Sequence, residues 1–222
     1  MALSTMTVRN YLVRSLYRLN NKAQSISPTD YRTYKKMHEL TLSSLEKHIG
    51  GKWELVLFEG EVANAQQMFR DVFIKTHRLW LEQKCNILFV DLDILAIGSV
   101  DFFDQHKDFT MFAQMSDQYY NCGLRYFPHT MDPAVWDLGL ELYQEWNDNC
   151  EWDREQQIYS KMLCSQPDFI FKPGPINVWF HTLEFYPEYF DQYKLLHFHS
   201  AKGPKPVFAL MKKYLLGPGH QS

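Results

Sequence analysis

Hydrophobic and polar residues follow two different periods along the first half of the chain, and each period predicts its own kind of element. Compact apolar runs predict strands at residues 2–6, 52–60 and 86–97. Stretches with a helical period predict helices at residues 7–21, 27–51 and 63–85. Strands that alternate with helices in this way are typical of an α/β fold with a mainly parallel central sheet.

The second half of the chain has a less regular pattern. It predicts strands at residues 108–114 and 119–127, and helices at residues 133–147 and 152–164. Residues 169–180 and 193–201 are expected to be extended. Because the chain contains no internal repeat, low-complexity tract or linker, we expect one domain over residues 1–222.

Composition narrows the class of protein. The 222 residues are 45% hydrophobic and 16% aromatic, which indicates a folded soluble protein with a large core. No apolar run reaches the roughly 18 residues of a membrane span, and arginines interrupt any signal-peptide core near the start. A net charge of −3 provides no basic surface for nucleic acid. We therefore expect a cytoplasmic protein. The chain could also be one domain of a longer parent chain.

Two aspartates, Asp91 and Asp93, interrupt the apolar run at residues 86–97. A carboxylate in apolar surroundings is costly unless it has a partner. If the strand stays extended there, alternate residues share one face and both carboxylates point to one place. Carboxylate oxygens suit Mg²⁺ or Mn²⁺, and a diphosphate can supply further oxygens to the same ion. The alternative is that the two aspartates cap or pair locally.

Several segments carry a resemblance to a known family. FVDLDILAI resembles the DxD strand of GT-A fold glycosyltransferases, and Lys75, His77 and Trp80 precede it at the spacing of glycogenin-like retaining enzymes. Further matches follow in the family's order at YYNCGLRYFP, EQQIYS, GPINVWF and HSAKGPKPV. The opening MALSTMTVRNYLVRSLY resembles the first domain of a glycosyltransferase with which chloroviruses decorate their capsid.

The resemblance implies a fold and an activity. The fold would be the GT-A three-layer α/β/α arrangement around a mainly parallel mixed sheet. Residues 1–104 would form the nucleotide-binding half, and residues 105–222 the acceptor half with a metal-binding end. The enzyme would be a hexosyltransferase that moves a sugar from UDP to a glycan or glycoprotein with Mn²⁺ or Mg²⁺, in the host cytoplasm if viral. Retention of configuration is favoured.

The resemblance also assigns roles to individual residues. Thr5 and Arg9, at the end of the predicted first strand, would lie beside the base and ribose. Lys75 would contact the diphosphate or the donor sugar, and Lys205 the diphosphate; the alternative for Lys205 is a basic loop with no such role. Asp91 would be shared between the ribose and the metal ion. Asn121 and Gln156 would bind the sugar. The carboxylate opposite the leaving group would be Asp153 or Glu155. The metal ligands would be Asp91 and Asp93, together with His197 or His199.

The choice between the two histidines stays open from the sequence. His197 is followed by Phe198, as in the family, whereas His199 has the family's spacing to Lys205. A strand would place both histidines on one face, so either could reach the ion. The chain departs from the family at Glu155, where the family has aspartate, and at Val207, where it has tryptophan.

Two other classes of protein fit parts of the pattern. A haloacid-dehalogenase-type phosphatase also has a hydrophobic-DxD-hydrophobic strand, but it needs a late acidic cluster that this sequence does not contain. A non-catalytic carbohydrate-binding module would explain the many tryptophans, although tryptophans at these spacings are typical of a core. Phosphate release would identify the first class, and turnover of a UDP-sugar would exclude the second.

Overall fold

The computed structural model describes most of the chain. The described residues are 8–19, 28–116, 119–146, 154–167, 169–171, 174, 176–180, 193–199 and 203–216. Thr5, Asp153 and the strand predicted at residues 2–6 lie outside them.

Eight strands and five helices make up the described part of the fold. The strands are β1 Asn10–Leu19, β2 Glu54–Val62, β3 Asn86–Val90, β4 Ile94–Ala96, β5 Thr110–Ser116, β6 Tyr119–Phe127, β7 Ile176–Phe180 and β8 Leu195–His199. The helices are α1 Pro28–His48, α2 Ala65–Gln83, α3 Pro133–Glu145, α4 Arg154–Cys164 and α5 Pro204–Leu216. The predicted helices at residues 27–51, 63–85, 133–147 and 152–164 are confirmed.

The central sheet has five strands in the order β2-β1-β3-β6-β5. Strands β2, β1 and β3 are parallel, whereas β6 is antiparallel to both β3 and β5. This arrangement confirms the predicted α/β fold with a mixed, mainly parallel sheet. A second sheet has the order β4-β8-β7, with β4 antiparallel and β7 parallel to β8.

Each face of the central sheet has its own hydrophobic core. One face packs against α2, α3 and α4 through a cluster that includes Val13, Phe73, Phe89, Phe127 and Trp136. The other face packs against α1 and the second sheet through a cluster that includes Leu12, Leu45, Leu88, Val90 and Ile94. Because β1 and β3 are covered on both faces, they are nearly continuous apolar runs.

Two sequence predictions of secondary structure are wrong. Residues 10–19 form strand β1 and not a helix, because this central strand buries both faces and its apolar spacing also suits a helix. The predicted strand at residues 86–97 is two strands in different sheets, with Asp91 to Asp93 between them. Lys205, for which a basic loop was the alternative to a contact with the diphosphate, lies in the first turn of α5.

Gly139 of α3 provides a test of how tightly this core is packed. A Cβ at Gly139 would lie 2.4 Å from Phe73 Cζ and 2.8 Å from Met162 Sδ. Overpacking costs about 1–3 kcal/mol, whereas alanine gains only about 1 kcal/mol over glycine in a helix. We therefore expect Gly139→Ala to lower the free energy of unfolding, measured by urea denaturation.

Gly50→Ala is the matched control for that substitution. Its added Cβ would have Asp101 Cβ as its nearest neighbour, at an ordinary 3.7 Å. We expect a change of less than about 0.5 kcal/mol. Equal stability of Gly139→Ala and the wild type would contradict the tight packing of Phe73.

Candidate functional site

Asp91 and Asp93 lie where β3 leaves the central sheet. Asp91 directly follows β3, and Leu92 and Asp93 form a turn that leads into β4 of the second sheet. In parallel sheets this carboxyl edge is the usual position of a ligand site. The turn therefore occupies the expected edge of the sheet, although the chain is not extended there as the sequence predicted.

Hydrogen bonds from three elements hold the backbone of this turn. Arg14 of β1 donates from Nη2 to the Asp91 carbonyl at 3.3 Å. Thr41 of α1 donates from Oγ1 to the Leu92 carbonyl at 2.7 Å. The Phe198 amide of β8 donates to the Asp93 carbonyl at 2.9 Å. Each carbonyl of the turn is thus satisfied by a different part of the fold, and the turn has one defined shape.

His197 brings an imidazole to the two carboxylates. Strand β8 pairs with β4 so that His197 lies opposite Ile94, beside the turn. One ligand atom from each of Asp91, Asp93 and His197 lies within 4.8 Å of the others, close enough to hold a metal ion. His197 Nε2 is 3.0 Å from Asp93 Oδ1.

Asn121 orients the His197 ring. Its Oδ1 lies 2.9 Å from His197 Nδ1 and also accepts from the Gly123 amide at 3.0 Å. Because Oδ1 is an acceptor, the proton of the imidazole is placed on Nδ1 and Nε2 is directed at Asp93. A Cβ on Gly123 would lie 2.4 Å from His197 Cε1, so this close approach requires glycine.

Ionisable groups of both signs lie close together at the site, and their surroundings shift several of their pKa values. Loss of water around Asp91 raises its pKa to about 7, against the attraction of Arg125. Burial alone would lower the pKa of His197, but Asp93 and Asp91 together raise it. Burial lowers the pKa of Arg14 to about 9, which still leaves its guanidinium charged at neutral pH. Two acids and an imidazole thus lie together over a buried cation.

The two aspartates line a cleft of about 220 Å³ between α1 and α2. Tyr17 and Tyr34 lie on its walls, and Arg125 and Glu155 lie in it with the aspartates. Arg125 Nη1 donates to Glu155 Oε1 at 2.7 Å. Gln156, the next residue of α4, accepts from Asn121 Nδ2 at 3.4 Å. Besides His197 itself, five of the predicted site residues therefore reach the cleft or the residues around His197, namely Asp91, Asp93, Asn121, Glu155 and Gln156.

Lys75 does not line the aspartate cleft. It donates to Asp71 Oδ2 at 2.6 Å and to the Tyr17 hydroxyl at 2.9 Å, in a neighbouring pocket at the end of β2. Tyr17 lines both this pocket and the cleft and also donates to Asp71. Any contribution of Lys75 to the cleft in this conformation passes through Tyr17.

Two other predicted residues, Arg9 and Lys205, lie away from the aspartates. Arg9 precedes β1, and its carbonyl accepts from the Asn86 amide, which places it at the amino edge of the sheet opposite Asp91. Lys205 is exposed in α5 and forms an ion pair with Asp30 at 3.8 Å. His199 belongs to β8, but its side chain lies outside the described part of the structure.

Two arginines at the site have no sequence-based role, although both lie in segments that carry the resemblance. Arg14 and Arg125 are almost completely buried, at 0% and 1% exposure. A charged residue inside an otherwise apolar strand, as in NYLVRSLY and YYNCGLRYF, is the signal that could have found them. The partners of these arginines depend on contacts between distant parts of the chain.

Solved structures resemble this chain in fold, whereas curated protein sequences do not match it. No protein-family model and no curated protein sequence matches the chain. A crystal structure of a glycosyltransferase involved in the glycosylation of the major capsid of PBCV-1 is similar, with a TM-score of 0.60 and 12% identity. The match covers 92% of this chain and 100% of that chain.

The apo-form glycosyltransferase GlyE of Streptococcus pneumoniae TIGR4 is also similar, with a TM-score of 0.51 and 11% identity. That match covers 93% of this chain and 61% of GlyE. At these identities the likeness establishes the fold, and both structures are of glycosyltransferases. The predicted resemblance to GT-A glycosyltransferases is therefore confirmed at the level of the fold.

No helix in the described part of the chain has both the length and the hydrophobicity needed to cross a bilayer.

Thr41→Val tests whether the hydrogen bonds to the turn stabilise the fold. Valine has nearly the same shape as threonine but leaves the Leu92 carbonyl without its donor. A partly buried unsatisfied carbonyl costs about 1–3 kcal/mol. We expect that loss in the free energy of unfolding, together with faster amide exchange at Asp93.

Thr110→Val is the matched control, because the Thr110 hydroxyl also donates to a carbonyl, that of Asp108, but in an exposed position. We expect it to cost less than about 0.5 kcal/mol. Equal losses for the two variants would contradict a special role for the Thr41 bond.

Proposed function

We propose that the protein is a metal-dependent glycosyltransferase that transfers a sugar from a UDP-sugar to a glycan acceptor. The observation that carries the proposal is the cluster of Asp91, Asp93 and His197 at the carboxyl edge of the sheet. The fold it shares with two glycosyltransferases supports sugar transfer as the class of reaction. The cleft beside the aspartates supplies a place for the donor.

The three side chains fit a divalent transition-metal ion. Two carboxylates and one imidazole form a mixed oxygen and nitrogen donor set, which suits Mn²⁺ better than an ion that prefers oxygen alone. Asp91, Asp93 and His197 would hold the ion, and Asn121 would fix the His197 ring from behind. When bound, such an ion acts as a Lewis acid that stabilises negative charge on a departing diphosphate.

The chain's own residues determine how the site would be prepared for the donor. The backbone bonds to the turn keep the two carboxylates together, so little reorganisation is needed on binding. Arg14 supplies a buried positive charge beneath the turn, which partly balances the aspartates. The walls contributed by Tyr17 and Tyr34 would enclose the donor and reduce its contact with water.

The remaining parts of the proposal concern residues and outcomes that depend on the ligands. Glu155, in the cleft, is the proposed carboxylate near the sugar, with retention of configuration favoured. Asp153, Thr5 and the His199 side chain lie outside the described residues and keep their sequence-based assignments as proposals. A site inside the cell and a glycan or glycoprotein acceptor are further parts of the proposal.

Titration calorimetry of UDP with and without Mn²⁺ tests the site. We expect Mn²⁺ to strengthen UDP binding in the wild type. Asp93→Asn replaces a charged carboxylate ligand with a neutral amide. It should weaken UDP binding in the presence of Mn²⁺ by at least about tenfold and should abolish the dependence of binding on metal.

Asp101→Asn is the matched control, because Asp101 is exposed and makes no capping hydrogen bond. It should bind UDP as the wild type does. Unchanged metal dependence in Asp93→Asn would contradict the site. Release of inorganic phosphate from phosphate esters, without turnover of any UDP-sugar, would favour a phosphatase.

A further inference from the structure

Arg125 and Glu155 form an ion pair in the cleft that holds the aspartates. The Arg125 side chain is 1% exposed, and its Nη1 lies 2.7 Å from Glu155 Oε1. The guanidinium carbon lies 4.0 Å from the ring centroid of Phe89 and 4.2 Å from that of Tyr159. Two aromatic rings therefore hold the cation that fixes Glu155.

Stability alone is a poor explanation for this pair. The cost of removing two charges from water offsets much of their attraction, so apolar residues of similar volume often stabilise a fold equally well. The Nε of Arg125 is buried and has no hydrogen-bond partner among the described residues. The fold thus carries an unsatisfied polar atom in order to keep the guanidinium in this place.

The free part of the pair faces the cleft. Glu155 lines the cleft with Asp91 and Asp93, and its side chain is 12% exposed. Arg125 binds Oε1, and no hydrogen bond to Oε2 is present within the described part of the chain. One oxygen of the carboxylate is therefore held and the other is left for a ligand.

We propose that Arg125 is a positioning residue that holds Glu155 against the transferred sugar. This inference rests on the proposed function. In that reaction the bond from sugar C1 to the β-phosphate oxygen breaks, and its electron pair leaves with UDP. C1 bonds to the acceptor oxygen, and one proton is released to solvent. Positive charge develops on the sugar in the transition state, where a fixed carboxylate stabilises it most.

The test compares the removal of one partner with the removal of both. Arg125→Met or Glu155→Leu alone leaves a buried unpaired charge, so we expect both single variants to unfold at a lower temperature. The double variant Arg125→Met/Glu155→Leu should recover most of the wild-type melting temperature. It should bind UDP with Mn²⁺ within about threefold of the wild type, yet turn over the UDP-sugar about 100-fold more slowly.

Glu155→Gln keeps the shape of the side chain and decides the outcome if the double variant does not fold. Because glutamine can still accept the Arg125 hydrogen bond, we expect this variant to melt between Glu155→Leu and the wild type. It should keep the wild-type KM for the donor, with a loss in kcat of about 100-fold. Wild-type kcat in Glu155→Gln would overturn the inference. Turnover that returns with stability in the double variant would also overturn it, because the pair would then be structural.

An exposed pair of the same residue types provides the matched control. Arg18 and Glu61 form an ion pair at 3.4 Å with side chains 45% and 58% exposed. Arg18→Met/Glu61→Leu should change neither the melting temperature nor kcat. Wild-type turnover is measured first over a panel of UDP-sugars. Its absence would overturn the proposed function and this inference together, whereas normal turnover in both the wild type and Glu155→Gln would overturn the inference alone.

Discussion

Three hydrogen bonds to consecutive backbone carbonyls, those of Asp91, Leu92 and Asp93, hold the turn on which the site depends. Their donors belong to β1, α1 and β8, each of which is far from the turn in the sequence. The turn therefore takes its shape only when the two sheets and α1 have come together. That dependence explains how two carboxylates converge without the extended strand that would bring them together most simply, and it fixes the site before any ligand arrives.

Buried charge is the second constraint on this part of the molecule. Arg14 lies under the turn, and Arg125 lies beside Glu155 between two aromatic rings. Each guanidinium has an Nε without a hydrogen-bond partner among the described residues. Such groups are costly in a core, and clusters of them in a cleft mark a candidate functional site. Arg125 lines the cleft, and Arg14 supports the turn whose aspartates lie in it, which connects the electrostatics of the fold to the chemistry proposed for it.

The sequence predicted the elements better than the contacts between them. Helical spacing was sufficient for α1 and α2, but β1 was assigned to a helix because Tyr11, Leu12 and Val13 bury both faces of a strand. The spacing of Lys75 to the aspartates resembles that of the family and predicted a contact with the donor. In the structure, Tyr17 and Asp71 hold Lys75 in a neighbouring pocket. Local patterns contain no information on such partners, because these depend on which strands pair and in what register.

The choice between His197 and His199 is of this kind. Among the described side chains, the pairing of β8 with β4 and the Asn121 hydrogen bond bring the His197 ring to the aspartates, and we propose His197 as the ligand. Pulsed electron paramagnetic resonance of the protein with Mn²⁺ and UDP measures it directly. A histidine bound to Mn²⁺ gives nitrogen modulation of the electron spin echo. This modulation should be present in the wild type and in His199→Gln, and absent in His197→Gln. Modulation that persists in His197→Gln, or that is missing from the wild type, would contradict a metal site built from Asp91, Asp93 and His197.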